Sequence, residues 1–143
     1  MTHLILIASS TLLTLSINIA FKTNQYFAAN LLLVMLITSI FRHSTNVSYH
    51  ENKIVYQYRL SYVLDIIAVH AYGIFCFFFI IFNFNLRRFV SFILFCIVAG
   101  VYWGCLAHRK YTIKECLYHS VFIHYTGNVA TLLMLTPSIN YLS

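Results

Sequence analysis

The chain has 143 residues, of which 61 % are hydrophobic and only 8 % are Asp, Glu, Lys or Arg, about a third of the charged share of a soluble domain. Such a composition cannot cover a water-facing surface, which excludes an ordinary soluble domain and makes lipid the natural solvent. The net charge of +6 comes from basic residues placed singly or in twos between apolar runs, so it points to membrane topology rather than to nucleic acid.

A helix needs about 20 apolar residues to cross the hydrocarbon core, and the sequence divides into runs near that length. They predict an all-α, polytopic transmembrane bundle of about five spanning helices in a single domain over 1–143. The first run, 4–21, has no basic segment before it and is as long as a spanning helix, so it is expected to be a helix rather than a cleaved signal. The second, 26–41, is short, and Lys22 and Arg42 are expected to snorkel at its ends. Residues 43–61 form the longest polar stretch and are expected to be the main loop. Helices at 62–82, 89–107 and 117–136 follow, joined by connections of a few residues. Cys76, Cys96, Cys105 and Cys116 lie in or beside apolar runs without CxxC spacing, as buried thiols do.

Basic residues orient the chain. The side of the amino terminus, the second loop and the fourth loop holds Arg42, Lys53, Arg59, Arg109, Lys110 and Lys114, and the opposite side holds Lys22, Arg87 and Arg88. The excess predicts a cytoplasmic amino terminus in a multi-pass integral membrane protein.

Ionisable residues inside spanning segments are costly and are functional candidates by default. They are His43 at the end of the second helix, Asp65 and His70 in the third, and His119 and His124 in the fifth. Ser39 lies four residues before His43 and faces the same way. With helices alternating in direction, the end of the second, the start of the third and the start of the fifth lie on one side of the membrane, so these groups share a depth. Three neutral imidazoles, His43, His119 and His124, can hold Zn²⁺ and leave a position for water. Asp65 can orient that water and take its proton, and the Ser39 hydroxyl can steady it or a developing oxyanion. For each residue alone, the competing reading is an interhelical hydrogen bond.

The fifth helix adds a polar stripe of Ser120, His124, Gly127 or Asn128, and Thr131, while Tyr72 and Cys76 continue the face of Asp65. His70 points elsewhere and reads as structural, or at best as a group supporting a metal ligand from behind. No role is assignable to His3, His50 or His108.

Ser39-Ile40-Phe41-Arg42-His43, Leu64-Asp65, and His119 with His124 resemble the Ser-x-x-x-His, Asp and terminal His-pair elements of the CREST superfamily. That group includes the alkaline ceramidases and the progestin and adiponectin receptor family. The resemblance implies a zinc-dependent integral membrane hydrolase cleaving an amide bond in a lipid. Members typically have seven helices and a terminal His-x-x-x-His. Here the two histidines are five residues apart, a step of about 140° on an α-helix where four residues leave about 40°. Sharing one metal then requires a π-bulge or an irregular start at His119. The other alignment puts Ser120 at the first position and leaves two imidazoles.

Two other functions fit the same residues. One is a non-enzymatic channel, transporter or complex subunit using Asp65 and His124 as a polar relay. The other is a redox protein holding haem through His70 and His124. Membrane lipids are the expected partners, one of them the substrate in the hydrolase reading, and a chain of this size also suits a homo- or hetero-oligomer.

Overall fold

The computed structural model describes residues 2–50, 55–106 and 113–136, with side chains over 4–45, 60–104, 114 and 116–136. Every regular element in them is helical, and the protein is an all-α bundle. Helices α1 (Thr2–Ser10) and α2 (Leu13–Lys22) make up the first apolar run. Between them the Ser9, Ser10, Thr11 and Thr14 hydroxyls donate to backbone carbonyls three or four residues back. Such bonds compete with the helical ladder, and Leu12, Thr14 and Leu15 close tightened i→i+3 turns instead.

The chain reverses at Asn24, whose φ of 57° lies in the left-handed region that Asn tolerates. There the Gln25 N–H donates to Ala20 O at 2.8 Å, the six-to-one bond that ends many helices. Helix α3 (Tyr26–His50) runs back, α4 (Val55–Phe82) follows, and α5 (Leu86–Val101) continues as a π-helix over Tyr102–Leu106. Asn85 caps α5, its Oδ1 accepting from the Arg88 N–H at 2.9 Å. The last rod is α6 (Ile113–His119), a π-helical segment (Ser120–Tyr125) and α7 (Thr126–Leu135).

By length and composition Leu4–Lys22, Tyr26–Thr45, Leu60–Phe82 and Leu86–Gly104 can each cross a membrane. The last rod, also expected to span, falls outside that group because of its polar stripe, yet it packs among the others. Large apolar side chains are exposed along all of the rods, as lipid contact requires and water does not permit.

Two expectations are corrected. Residues 43–61 are not a loop in their described part. Helix α3 extends to His50 and α4 starts at Val55, and Thr45 Oγ1 meets Ser61 Oγ at 2.7 Å between the two extensions. Polarity ends a membrane span without ending a helix, because the backbone ladder does not depend on apolar side chains. Arg42 does not snorkel: it is 6 % exposed and turned into the bundle, where it finds a counter-ion. The other boundaries differ from expectation by a few residues.

The buried face of α4 is Ser61, Asp65, Ala68, Tyr72, Cys76 and Ile80, the three- and four-residue recurrence of one helix stripe. It packs on α3, whose buried residues include Ala28, Leu32, Leu36, Ser39 and His43. In α5 Ser91 alone is buried among the described residues, and its Oγ donates to Ala130 O at 2.6 Å. Cys76 and Cys116 are buried as expected, whereas Cys96 on α5 is exposed.

Polar contacts fix the two ends of the bundle. Gln25 Nε2 donates to Leu135 O at 3.0 Å and Arg87 Nη2 to Thr136 O at 2.8 Å. The last carbonyls of α7 therefore lie beside both the α2–α3 turn and the α4–α5 turn, a placement in which cations also suit the helix dipole. The end of α3, the start of α4 and α6 lie at the opposite end.

Candidate metal centre

At that opposite end His43 from α3 and His119 and His124 from the last rod come together. Their ring nitrogens all lie within 4.8 Å of one another. Ring centroids are 5.5 Å apart for His43 and His119, 5.4 Å for His43 and His124, and 4.8 Å for His119 and His124, all edge-on. It is the mutual approach of one nitrogen from each ring that makes the three imidazoles a possible ligand set for one ion.

The five-residue spacing of His119 and His124 is absorbed by the π-helical segment. Within it the Thr126 N–H reaches the Val121 carbonyl, five residues back. A turn closed by i→i+5 bonds takes one extra residue, so residues five apart stack as residues four apart do in an α-helix. Both imidazoles thereby fall on one face. Ser120, the other candidate for the first position, turns toward α1 and meets Ser9 Oγ at 3.0 Å.

Ser9 also sets the ring of His124. Its single proton has two acceptors, Leu6 O and Ser120 Oγ, each at 3.0 Å. The Nδ1–H of His124 then donates to Ser9 Oγ at 2.6 Å, and we assign that tautomer on this network. Nε2 keeps its lone pair for a metal, the arrangement found for most metal-ligating histidines. The donor set thus fits a divalent cation such as Zn²⁺, with three imidazole nitrogens, two of the rings buried and the third half-buried.

Asp65 lies beside this cluster as an ion pair. Arg42 Nη1 donates to Asp65 Oδ2 at 2.7 Å, with both side chains buried. Oδ1 is buried with no hydrogen-bond partner among the described residues. The Arg42 guanidinium also donates to Tyr102 Oη at 3.3 Å and stands 4.7 Å from the centre of the Tyr62 ring. Ser39 Oγ meets Ser10 Oγ at 3.1 Å.

A cavity of about 240 Å³ opens from this cluster into the bundle. Ser39, Arg42, Asp65, His119 and His124 lie at its polar end, and Asn128, Thr131 and Tyr72 further in, while Leu13, Met35, Phe95 and Val98 give apolar walls. His43 stands behind the other two imidazoles, outside the lining. The exposed Val69 and Trp103 also line it, so its mouth lies between α4 and α5.

The structure therefore brings together every candidate site residue: His43, His119 and His124 in the cluster, and Ser39 and Asp65 at the cavity. The polar stripe of the fifth helix faces inward, as do Tyr72 and Cys76. His70 stands apart from the cluster and is exposed. It lines the cavity at its rim, with Nδ1 at 2.7 Å from Ile66 O and its ring 5.8 Å from that of Trp103. Sequence reasoning missed Ser9, Ser10 and Arg42. The signals were there: a Ser-Ser pair inside an apolar run, and an Arg at the depth of the one acidic residue buried in a span.

Comparison with protein-family models, curated proteins and solved structures finds no match. The fold and site define a helical membrane bundle with a three-histidine cluster at the head of an apolar cavity.

Proposed function

We propose that the chain is a zinc-dependent integral membrane hydrolase that cleaves an amide bond in a lipid, as the resemblance to alkaline ceramidases implies. The observation that carries the reading is the convergence of His43, His119 and His124 at the polar end of a cavity with apolar walls. His43, His119 and His124 would hold the zinc, which when bound would supply a position for water and draw its pKa toward neutrality.

The remaining groups have roles that follow from their bonds. Asp65 is held by Arg42 through Oδ2, and its enclosed Oδ1, without a partner among the described residues, is the acceptor left for a water proton once water is admitted beside it. Ser39, whose proton goes to Ser10 Oγ because Ser10 donates to Leu6 O, offers its oxygen lone pairs to steady the attacking water. The apolar walls take the hydrocarbon part of the lipid, and its amide lies at the polar end. By the excess of basic residues at the same end of the bundle, the site lies at the cytoplasmic end.

The haem reading loses ground because His70 is engaged with its own helix carbonyl and with Trp103. The relay reading loses ground because Asp65 is tied to a buried guanidinium.

Metal analysis of the purified protein tests the proposal. About one zinc per chain is expected in wild type, lost in His43→Ala and in His124→Ala, together with release of fatty acid from an N-acyl lipid. Wild type without zinc, or with zinc unaltered by both substitutions, overturns it.

A further inference from the structure

Beyond the histidines the cavity contains a second polar group that no step of hydrolysis uses. Asn128 is 5 % exposed and lines the cavity one α-helical turn past His124. Its Oδ1 accepts from Ser16 Oγ at 2.5 Å, which fixes the plane of the amide. Its Nδ2 donates to no described residue, and it is not among the enclosed polar atoms lacking a partner. That donor therefore faces the cavity. It shares the cavity lining with the apolar Leu13, Met35, Phe95 and Val98 and with the Tyr72 and Thr131 hydroxyls, which are bonded to each other and make no bond to Nδ2.

An amide N–H in an apolar chamber is costly until an acceptor reaches it. A ligand that carries an oxygen at that height meets the donor, and one with a methylene there leaves it unmet, the situation in which polar pockets discriminate most strongly. The rise of an α-helix sets the height: four residues at 1.5 Å put Asn128 about 6 Å deeper than His124.

We propose that Asn128 is a specificity-determining residue that recognises an acceptor oxygen, hydroxyl, ether or carbonyl, on an amphiphile about 6 Å from the group held at the histidines. The site thus prefers lipids with two polar groups over simple alkyl amides. This deepens the hydrolase reading and rests on it only for which end of the ligand lies at the histidines.

Binding, not turnover, gives the test. The full chain in detergent, with and without EDTA, is titrated with N-dodecanoyl methoxypropylamine and with N-dodecanoyl pentylamine, equal in shape but differing by one ether oxygen for a methylene. Wild type is expected to bind the ether about tenfold more tightly in both conditions. Asn128→Asp keeps the volume and the bond from Ser16 but removes the donor, and is expected to bring the ratio to about one, as is Asn128→Ala. Equal binding of the two probes by wild type, binding of neither, or a ratio kept in Asn128→Asp overturns the proposal. An intact ratio in a protein that contains no zinc and releases no fatty acid supports this proposal and overturns the hydrolase reading alone.

Discussion

The rings of His119 and His124 are 4.8 Å apart although five residues separate them in the chain, because the helix between them is wound with i→i+5 turns. The register has a direct test. In the double variant His119→Ser/Ser120→His the pair acquires the four-residue spacing that suits an α-helix. In the π-wound segment the new imidazole instead turns toward Ser9 on α1. Zinc affinity is expected to fall at least about tenfold, the lower range for a disturbed coordination shell. Competition with a chromophoric chelator measures it, and unchanged affinity would mean that the segment is an ordinary α-helix.

Arg42 and Asp65 form a pair buried on both sides. Removing one partner leaves an uncompensated charge, whereas replacing both by apolar groups removes the desolvation penalty as well. Asp65→Leu is expected to destabilise the folded protein by about 3–5 kcal/mol, and Arg42→Met/Asp65→Leu by much less. Thermal unfolding in detergent gives the comparison. Equal losses in the single and the double variant would show that Arg42 and Asp65 do not act as a pair.

Much of this arrangement was legible in the sequence. The apolar runs locate the helices, and the alternating direction of spans puts Ser39, His43, Asp65, His119 and His124 at one end, where they are found. What the sequence hid was local. The extension of α3 and α4 through 43–61 escaped notice because hydropathy reports where a helix meets lipid, not where its hydrogen bonds stop. The inward turn of Arg42 depends on the partner it finds on α4, which helical periodicity within α3 cannot reveal. The π-winding was identifiable only as a requirement of the His119–His124 spacing, since nothing in Ser120–Tyr125 marks it otherwise.

Ser9 should matter to the metal though it cannot bind one in this arrangement. Its oxygen accepts from Nδ1–H of His124, and loss of such an outer contact typically lowers metal affinity about 10–100-fold. Ser9→Ala is expected to fall in that range while the bundle remains folded, and Ser9→Thr to stay near wild type. Zinc titration followed by isothermal calorimetry provides the readout. A Ser9→Ala protein with wild-type affinity would remove Ser9 from the site.

Metal binding should also appear as stability. A ligand that binds the folded chain alone, at about 100 times its dissociation constant, stabilises by about 2.7 kcal/mol. Addition of zinc to the EDTA-treated protein is therefore expected to raise its melting temperature, and His43→Ala to abolish the rise. A rise of equal size in His43→Ala would assign the metal to a different site.

The orientation of the bundle can be checked from its two ends. Ser44 is exposed at the histidine end, and Asn83 is exposed at the α4–α5 turn. The bonds from Gln25 and Arg87 to the end of α7 place that turn at the far end of the bundle from the histidines. In a background with Cys76, Cys96, Cys105 and Cys116 replaced by Ala, a membrane-impermeant maleimide added to intact cells is expected to label Asn83→Cys. Ser44→Cys should react only after permeabilisation. The excess of Lys and Arg at the Ser44 end sets this direction, because positive residues near span ends are retained in the cytoplasm. The reverse labelling would turn the site to the outer face and leave the bundle as described. Labelling of both positions from one side would contradict the antiparallel passage of α4 through the membrane, and with it the common depth of Asp65 and the three histidines.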